Sequence, residues 1–362
     1  MENNNQQEKS KNDVSVEARK YVDNLVRNGE LEQDNDSEMM LPPWYNAELC
    51  KIGQEQYFNY RFVITGGMLA GLIAVFAIPS ILKVLISTKQ SGTPITAYKR
   101  YVRTILHTIC WHSHPFVPGS KSWQSLEMVR KAHLRSSKQS TRKNTGIISQ
   151  KDLALTQFGF IGFLSLDAAN VGITDPKYFE GTVHLWRTIG YMLGMSDEFN
   201  LCTESWETTK PRLLLIREEF YKPALENTTP EFLEMTKALI NGLWAHLPTL
   251  TVGSFLFFTK RMAKCEGYEF FDSDFPNGKR IEGKKQHYDS LSMMDKFTVS
   301  YGLFLSDRLH KYTIVRKYIN FRTWLNFKIS EYLPLLAIIM FGVKAAYVKI
   351  FFGSKPNELH ID

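Results

Sequence analysis

Between residues 62 and 82 the chain carries no charged side chain, and this run limits its possible folds more than any other feature. The run reaches the length of about 20 residues that a helix needs to cross a bilayer. A helix that is apolar on all sides can instead be buried in a large helical domain. Both a membrane span and a buried helix are therefore possible. Small residues within the run would let another helix or a flat ligand approach closely; they are Gly66, Gly67, Gly71 and, near its end, Pro79.

Most of the remaining apolar residues recur at intervals of three and four, which is the spacing of one helical face. Glycine and proline separate these segments, strand-like alternation is scarce, and no repeat period is visible. Thr229 precedes Pro230 and is placed to cap the start of a helix. The chain is therefore predicted to be all-α, with helices over 97–111, 127–138, 150–167, 177–193, 212–221, 230–247 and 312–332.

Changes in composition divide the chain into four parts. Residues 1–43 are polar and charged and predict a disordered tail, whereas residues 44–330 predict one helical domain. Within that domain the turn-rich stretch 266–288 predicts a surface insertion, in which Asn277-Gly278 could close a small hairpin. Residues 331–352 are apolar but interrupted by Lys344 and Lys349, which favours a membrane anchor or an interfacial helix over a core helix. A polar tail, 353–362, follows.

Charge and cysteine content exclude several classes of protein. The net charge is +7, from 44 basic and 37 acidic residues, and no basic motif interleaved with aromatic residues indicates nucleic-acid binding. The mild positive excess suits an anionic membrane surface or the carboxylates of a cofactor equally well. The four cysteines form no CxxC pair, which argues against a disulfide scaffold and favours a reducing, cytosol-facing environment. No motif typical of di-iron proteins, zinc peptidases, serine hydrolases or nucleotide-binding enzymes occurs.

Three polar residues share one face of the helix predicted over 97–111. Arg100, Arg103 and Thr104 have the spacing i, i+3 and i+4, and His107 and Trp111 continue the same stripe. Buried guanidinium groups need an anion or good acceptors. Haem propionates, a phosphate or acidic side chains would supply these partners. The alternative is a solvated basic face beside a membrane.

A histidine lies on the apolar side of the next predicted helix. Leu126, Val129 and Ala132 are assigned to the face of His133, which turns its imidazole toward the core. Arg130 lies on nearly the same face and again needs an anion. A lone core histidine is usually a hydrogen-bonded structural residue. An imidazole opposed by cationic and hydroxyl donors is also what a protein needs to hold a haem iron, so both interpretations are open.

From about residue 57 to about residue 250 the chain resembles a family of haem-dependent oxygenases. This family includes the latex-clearing (rubber) oxygenases and the ER-bound oxygenase of mycophenolic acid biosynthesis. Each shared motif is short, but their order and spacing together are much more specific than any one motif. The resemblance rests on Gly66-Gly67…Ala70…Pro79, Arg100-x-x-Arg103-Thr104 and Arg130-x-x-His133, with weaker support from Gln157-x-Gly159 and Trp186-Arg187-x-Ile189-Gly190-Tyr191-x-Leu193-Gly194.

The resemblance implies an all-α fold with a globin-like helical core around haem b. His133 would be the proximal iron ligand, and Arg100 and Thr104 would occupy the distal side, near dioxygen. Arg130 would bind a haem propionate. The rubber-cleaving members are similar in this motif but carry lysine at the position of Arg103. A guanidinium is not a normal iron ligand.

The resemblance also bears on residues 62–82, because the matching helix of the relatives belongs to the domain and lines the cofactor cavity. Gly67 and Pro79 would then lie at the cofactor, and a buried or membrane-dipping helix is favoured over a plain span. No counterpart of the carboxylate proposed as the base in rubber cleavage is found. Polyisoprene cleavage is therefore not implied.

The implied function is that of a membrane-associated haem b oxygenase, which uses O2 to cleave a carbon–carbon double bond in a lipophilic, isoprenoid- or polyene-like substrate. Arg100 and Arg103 would stabilise negative charge on oxygen, and Thr104 would provide a hydrogen bond. We expect membrane lipids as partners, at the endoplasmic reticulum or another endomembrane with the catalytic domain facing the cytosol, and neither nucleic acid nor an obligate protein partner. The alternatives are a non-catalytic haem- or lipid-binding membrane protein that retains the fold, and a structural protein with two spans.

Overall fold

Helices form the framework of the residues that the computed structural model describes, which are 2–32, 37–275 and 286–351. Within these ranges no extended strand occurs, and the predicted all-α class is confirmed. Short π-helical turns at Arg217–Tyr221 and Phe304–Leu309 continue two of the helices. In chain order the α-helices are α1 (Glu2–Arg27), α2 (Ala47–Asn59), α3 (Arg61–Val75), α4 (Pro79–Ser87), α5 (Pro94–Ser113), α6 (Lys121–Arg142), α7 (Gln150–Asp167), α8 (Pro176–Met192), α9 (Trp206–Ile216), α10 (Lys222–Glu226), α11 (Pro230–Leu243), α12 (Val252–Met262), α13 (Gln286–Asp289), α14 (Met293–Leu303), α15 (Thr313–Tyr332), α16 (Leu335–Phe341) and α17 (Val343–Ala346).

The central helix is α7, which is buried on nearly all sides. Its start is set by a capping box, in which the Ser149 hydroxyl accepts from the backbone N–H of Asp152 and the Asp152 carboxylate accepts from the N–H of Ser149. Helices α1, α3, α8 and α9 pack around it. A helix with apolar side chains all round can be stable in water only when it is covered in this way.

The charge-free run 62–82 is divided between two helices. Helix α3 ends at Val75 and α4 begins at Pro79, because proline restricts the preceding residue and Ile78 is extended (φ −83°, ψ 114°). Helix α3 crosses α7 so closely that a Cβ built on Gly71 would lie 1.7 Å from the carbonyl oxygen of Gly159. Gly67 and Gly71 of this run therefore admit another helix.

No single helix among those described is both long and apolar enough to cross a membrane. Two consecutive pairs meet the criteria of length and composition together, but both are bent, α2 with α3 by 95° and α15 with α16 by 48°.

Helices α5 and α6 pack against each other as consecutive antiparallel neighbours and carry most of the polar residues singled out above. Thr93 caps α5 just before Pro94, and Ser120 caps α6. Helix α11 packs across the start of α5, where a Cβ on Gly242 would lie 2.7 Å from the Pro94 carbonyl oxygen. Thr229 caps α11 as predicted.

The structure corrects the prediction of a disordered tail over residues 1–43. Helix α1 packs against α9, and its side chains Ala18, Tyr21 and Leu25 are buried. The Tyr21 hydroxyl donates to the carbonyl oxygen of Phe199 at 2.9 Å. The physical reason is a short apolar stripe at helical spacing, which the polar composition around it conceals.

The apolar C-terminal segment, predicted as one helix over 331–352, is broken into the short helices α16 and α17. Pro334 stands at the start of α16, and Gly342 between the two helices has a positive φ of 79° that favours glycine. The Tyr98 hydroxyl donates to the Ala346 carbonyl oxygen at 2.6 Å, so this segment is tied to the domain. The predicted polar tail 353–362 lies outside the described residues.

The flanks of the predicted insertion 266–288 pack on α12 and α14. A buried ion-pair group holds this region, because Arg261 contacts both Asp274 and Asp307 at 2.8 Å. Phe257 and Val299 form a small apolar core beside it. The turn predicted at Asn277-Gly278 lies outside the described residues.

Candidate functional site

A cavity of about 310 Å³ lies between helices α3 to α8, with further walls from α2, α11 and α15. Its volume is at the lower end of the range of small-molecule sites. Most of its wall is aliphatic or aromatic, so a bound ligand would be held in a medium of low polarity. The polar or charged side chains at the wall that bear on its chemistry are Arg100, Thr104, His107, His133, Asp152 and His246.

His133 borders this cavity from α6. Its Nδ1 atom is buried and has no hydrogen-bond partner among the described residues. Burial and, to a smaller extent, the positive charge of Arg100 lower the pKa of His133 to about 4, so the ring is neutral at pH 7. Leaving a buried nitrogen unpaired costs about 1–3 kcal/mol. Ala132, which was assigned to the same face, is exposed.

Arg100 and Thr104 reach the cavity from α5, one helical turn apart. The Arg100 guanidinium donates to the Thr88 hydroxyl at 3.1 Å, and within the described residues it has no carboxylate partner. The Thr104 hydroxyl donates to the Arg100 carbonyl oxygen at 3.2 Å. Its proton is therefore directed along its own helix, and a lone pair is left as an acceptor.

Arg103 is exposed and does not line the cavity, although it lies between Arg100 and Thr104 in sequence. Its charge still acts on the interior, because it is one cause of the lowered pKa of His107. Not every residue of the predicted stripe therefore reaches the cavity wall.

His107 and Trp111, on the same stripe of α5, form a hydrogen-bonded group with Ser125 of α6 that the sequence pattern does not predict. The Trp111 indole N–H donates to the Ser125 hydroxyl at 2.8 Å, and Ser125 is 2.7 Å from His107 Nδ1. Because the indole can only donate, the Ser125 proton is available to His107. Burial lowers the pKa of His107 to about 4, which keeps this second imidazole neutral. The spacing of His107 from Thr104 and Trp111 was the signal in the sequence.

Asp152 brings a carboxylate to the cavity wall. The Ser80 hydroxyl donates to it at 2.6 Å, and burial raises its pKa. The sequence pattern Ser149-x-x-Asp152 indicates a helix start and carries no signal of a site.

His246 follows α11 and stacks on Tyr98 with ring centres 5.4 Å apart. Both of its ring nitrogens are buried without a partner among the described residues, and burial lowers its pKa to about 4. It lies in an irregular connection, where helical periodicity gives no indication of the direction of a side chain.

Three of the predicted cofactor residues are not brought to the cavity. Arg130 donates to the carbonyl oxygens of Met192 and Ser37, at 3.0 and 2.9 Å. Gly67 faces Leu164, and Pro79 is an exposed first residue of α4. Their predicted roles at a cofactor gain no geometric support here.

The residues at the cavity fit the haem b that the resemblance implies. A haem iron needs a ligand from the protein, and the neutral imidazole of His133 at the cavity wall would be such a ligand. Arg100 offers a cation without a carboxylate partner, which suits a propionate. Within the described ranges, no three His, Cys, Asp or Glu side chains cluster as a metal site of their own.

Comparison with known proteins gives one family match. The family model described as "ER-bound oxygenase mpaB/B'/Rubber oxygenase, catalytic domain" matches residues 55–261, more than half of the chain. No curated protein matches the chain. Among solved structures, "Structure of Latex Clearing Protein LCP in the closed state" is similar at 17% identity and a TM-score of 0.40, covering 78% of this chain and 76% of that one. A TM-score of this size is too low to establish a common fold.

Proposed function

The chain belongs to the family of the ER-bound mpaB-type oxygenases and the rubber oxygenases, and on this premise we propose that it is a haem b-dependent oxygenase acting on a lipophilic substrate. The family supports an oxygenase, and thus an oxidoreductase. The proposed reaction is the oxidative cleavage of a carbon–carbon double bond by O2. Each of the two oxygen atoms ends in one of two carbonyl products, so the reaction needs no further oxidant.

The observation that carries the proposal is the neutral imidazole of His133, which lines a largely apolar cavity together with Arg100 and Thr104. His133 would hold the iron, and Arg100 would face the reacting oxygen. Haem iron, when bound, supplies the redox centre at which O2 reacts. The chain's own contribution is to hold this centre in a cavity with a largely apolar wall.

Arg100 supplies fixed positive charge in a medium of low polarity, where negative charge on oxygen is stabilised far more than in water. Thr104 offers an acceptor one turn away, and the neutral His107 ring is a further hydrogen-bonding group in the same wall. Because Arg103 lies outside the cavity, we assign the stabilisation of charge to Arg100.

The wall of the cavity selects by size and shape. Leu69, Leu72, Phe160 and other apolar side chains offer no hydrogen bonds, which suits an isoprenoid- or polyene-like chain. Such a substrate partitions into membranes, and the matched family is named for an ER-bound oxygenase. We therefore propose an endomembrane location with the catalytic domain facing the cytosol, which agrees with four buried, free cysteines.

The test is the absorption spectrum of the full chain purified in detergent, with and without dithionite and carbon monoxide. We expect a Soret band that His133→Ala abolishes. His310→Ala is the matched control, because His310 is also a buried imidazole with an unpaired nitrogen but does not line the cavity. A wild-type chain without a Soret band, or a band that His133→Ala leaves unchanged, would refute the proposal. A haem-loaded chain that consumes no O2 with any polyene would favour the non-catalytic carrier.

A further inference from the structure

Exposed apolar side chains are concentrated in the last part of the described chain, between residues 293 and 347. On α15 they recur every three or four positions along the whole helix, which places them on one face. Ile314 is 86% exposed, Tyr318 64% and Phe321 57%. A continuous apolar surface of this kind marks an interaction site. We call it the outer stripe, and it consists of Ile314, Tyr318, Phe321, Leu325, Ile329 and Tyr332.

The opposite face of α15 belongs to the domain. Asn320 accepts from the backbone N–H of Phe62 at 3.0 Å and donates to the Asn59 carbonyl oxygen at 2.7 Å. Asn326 donates to the carbonyl oxygen of His246 at 2.9 Å, and Phe327 lines the large cavity. A helix held by polar contacts along its inner face is covered by protein on that side. It can lie on the membrane with the outer stripe in the interface.

The charges around the outer stripe select an anionic surface. Lys317 and Arg322 are exposed and border the stripe on its two sides. From residue 308 to residue 350 the only acidic side chain is Glu331, which Lys328 contacts at 3.4 Å. Apolar side chains flanked by cations are typical of helices that bind the anionic leaflet of a membrane. The basic residues of this segment are Arg308, Lys311, Arg316, Lys317, Arg322, Lys328, Lys344 and Lys349.

A second cavity, of about 270 Å³, opens at the edge of the outer stripe between α15 and the α2–α3 corner. Arg61, Arg316 and Lys317 line it together, and no carboxylate is among its lining residues. The two guanidinium groups lie over aromatic rings, Arg61 at 4.9 Å from the Phe58 ring centre and Arg316 at 5.0 Å from that of Tyr60. Within the described residues neither has an ion-pair partner. Three cations that line one cavity without a carboxylate have the chemistry that suits a phosphate group.

We propose that the outer stripe docks on an anionic phospholipid membrane and that the Arg61–Arg316–Lys317 cavity binds the phosphate of a lipid headgroup. The proposal rests on the proposed function only in assuming that the chain works at a membrane. It adds which surface faces the lipid and which headgroup chemistry is bound.

The test is flotation of the full chain with vesicles of phosphatidylcholine alone or with added phosphatidylserine. We expect binding to the anionic vesicles and much weaker binding to the neutral ones. The triple variant Arg61→Gln/Arg316→Gln/Lys317→Gln should bind the anionic vesicles roughly 100-fold more weakly, since each basic residue near the surface contributes about one factor of five. Ile314→Ser/Phe321→Ser should weaken binding to both kinds of vesicle.

A matched control removes three exposed cations elsewhere on the surface, Arg135→Gln/Lys177→Gln/Lys210→Gln, and should keep the binding. Equal loss in the control would show that net charge alone is responsible and would overturn the proposal. The proposal would also be overturned by wild-type chain that binds inorganic phosphate but no vesicle. Self-association of the chain through the outer stripe, seen in sedimentation velocity runs, would overturn it too. Flotation does not require haem, so a chain that floats without a Soret band refutes the oxygenase and not the docking surface.

Discussion

Arg100 and Arg103 lie three residues apart on α5, yet only Arg100 reaches the cavity. Each acts on a different imidazole, because the charge of Arg100 lowers the pKa of His133 and the charge of Arg103 lowers that of His107. A helical wheel places the two arginines on the same face of α5, but the cavity extends only as far as Arg100.

This separation can be tested by two single substitutions. In the haem-free chain Arg100→Gln should raise the pKa of His133, and Arg103→Gln should raise that of His107 instead, because a nearby cation disfavours a protonated imidazole. The measurement is an NMR titration of ring-labelled histidine. In the loaded enzyme Arg100→Gln should lower kcat by roughly 100-fold, and Arg103→Gln should have a much smaller effect. A larger loss for Arg103→Gln would contradict the assignment of charge stabilisation to Arg100.

At the scale of elements, the crossing of α3 and α7 determines the shape of the site. Gly71 on α3 lies directly on the backbone of Gly159, and Gly159 also lines the cavity. The close approach brings the apolar face of α3 to the cavity wall. Gly67 and Gly71, which suggested room for a cofactor, thus serve to bring two helices together.

Two glycines of α3 give a matched pair for this crossing. Gly71→Ala should lower the free energy of unfolding by about 3 kcal/mol or more, because the new methyl group would overlap backbone that cannot rotate away. Gly66→Ala meets open space and should raise it by about 0.5–1 kcal/mol, since alanine loses less entropy in a helix. Urea denaturation of both variants checks this. Similar effects of the two substitutions would mean that the helices do not cross at Gly71.

At the scale of the whole molecule, burial of histidines makes stability depend on pH. His107, His112 and His246 are held neutral by burial, which lowers the pKa of each to about 4. An unfolded histidine titrates near 6.5. Between these values the unfolded chain binds more protons than the folded chain, so stability rises with pH across this window.

We therefore expect the contribution of these histidines to the free energy of unfolding to be complete above about pH 6.5 and to be lost as the pH falls toward 4. His107 and His112, which are both buried, each contribute up to about 3 kcal/mol to this loss. The measurement is urea denaturation at a series of pH values. His246→Phe should lower by one the number of protons that the chain takes up on unfolding, so the free energy of unfolding should depend less steeply on pH. Stability at pH 7 should be equal or higher, because two unpaired nitrogens are removed. A flat profile between pH 4 and 6.5 would contradict the buried, neutral state of these rings.

Much of the helical framework could be predicted from the sequence, because helix formation follows a short-range period and local caps. The segments over 150–167 and 312–332 and the cap at Thr229 correspond closely to α7, α15 and the start of α11. The same helical periodicity predicted that the side chain of His133 points to the interior. Helix α1 was missed because its apolar stripe is short and lies next to a strongly polar stretch.

The sequence by itself determined the all-α class, the main helices and the family to which residues 55–261 belong. Only the tertiary structure decided which polar residues meet. It brought Asp152 and His246 to the cavity, left Arg103, Arg130, Gly67 and Pro79 outside its wall, and turned the outer stripe of α15 to the surface. The reason is that periodicity fixes the face of a helix on which a residue lies. What that face meets depends on contacts between helices far apart in the chain.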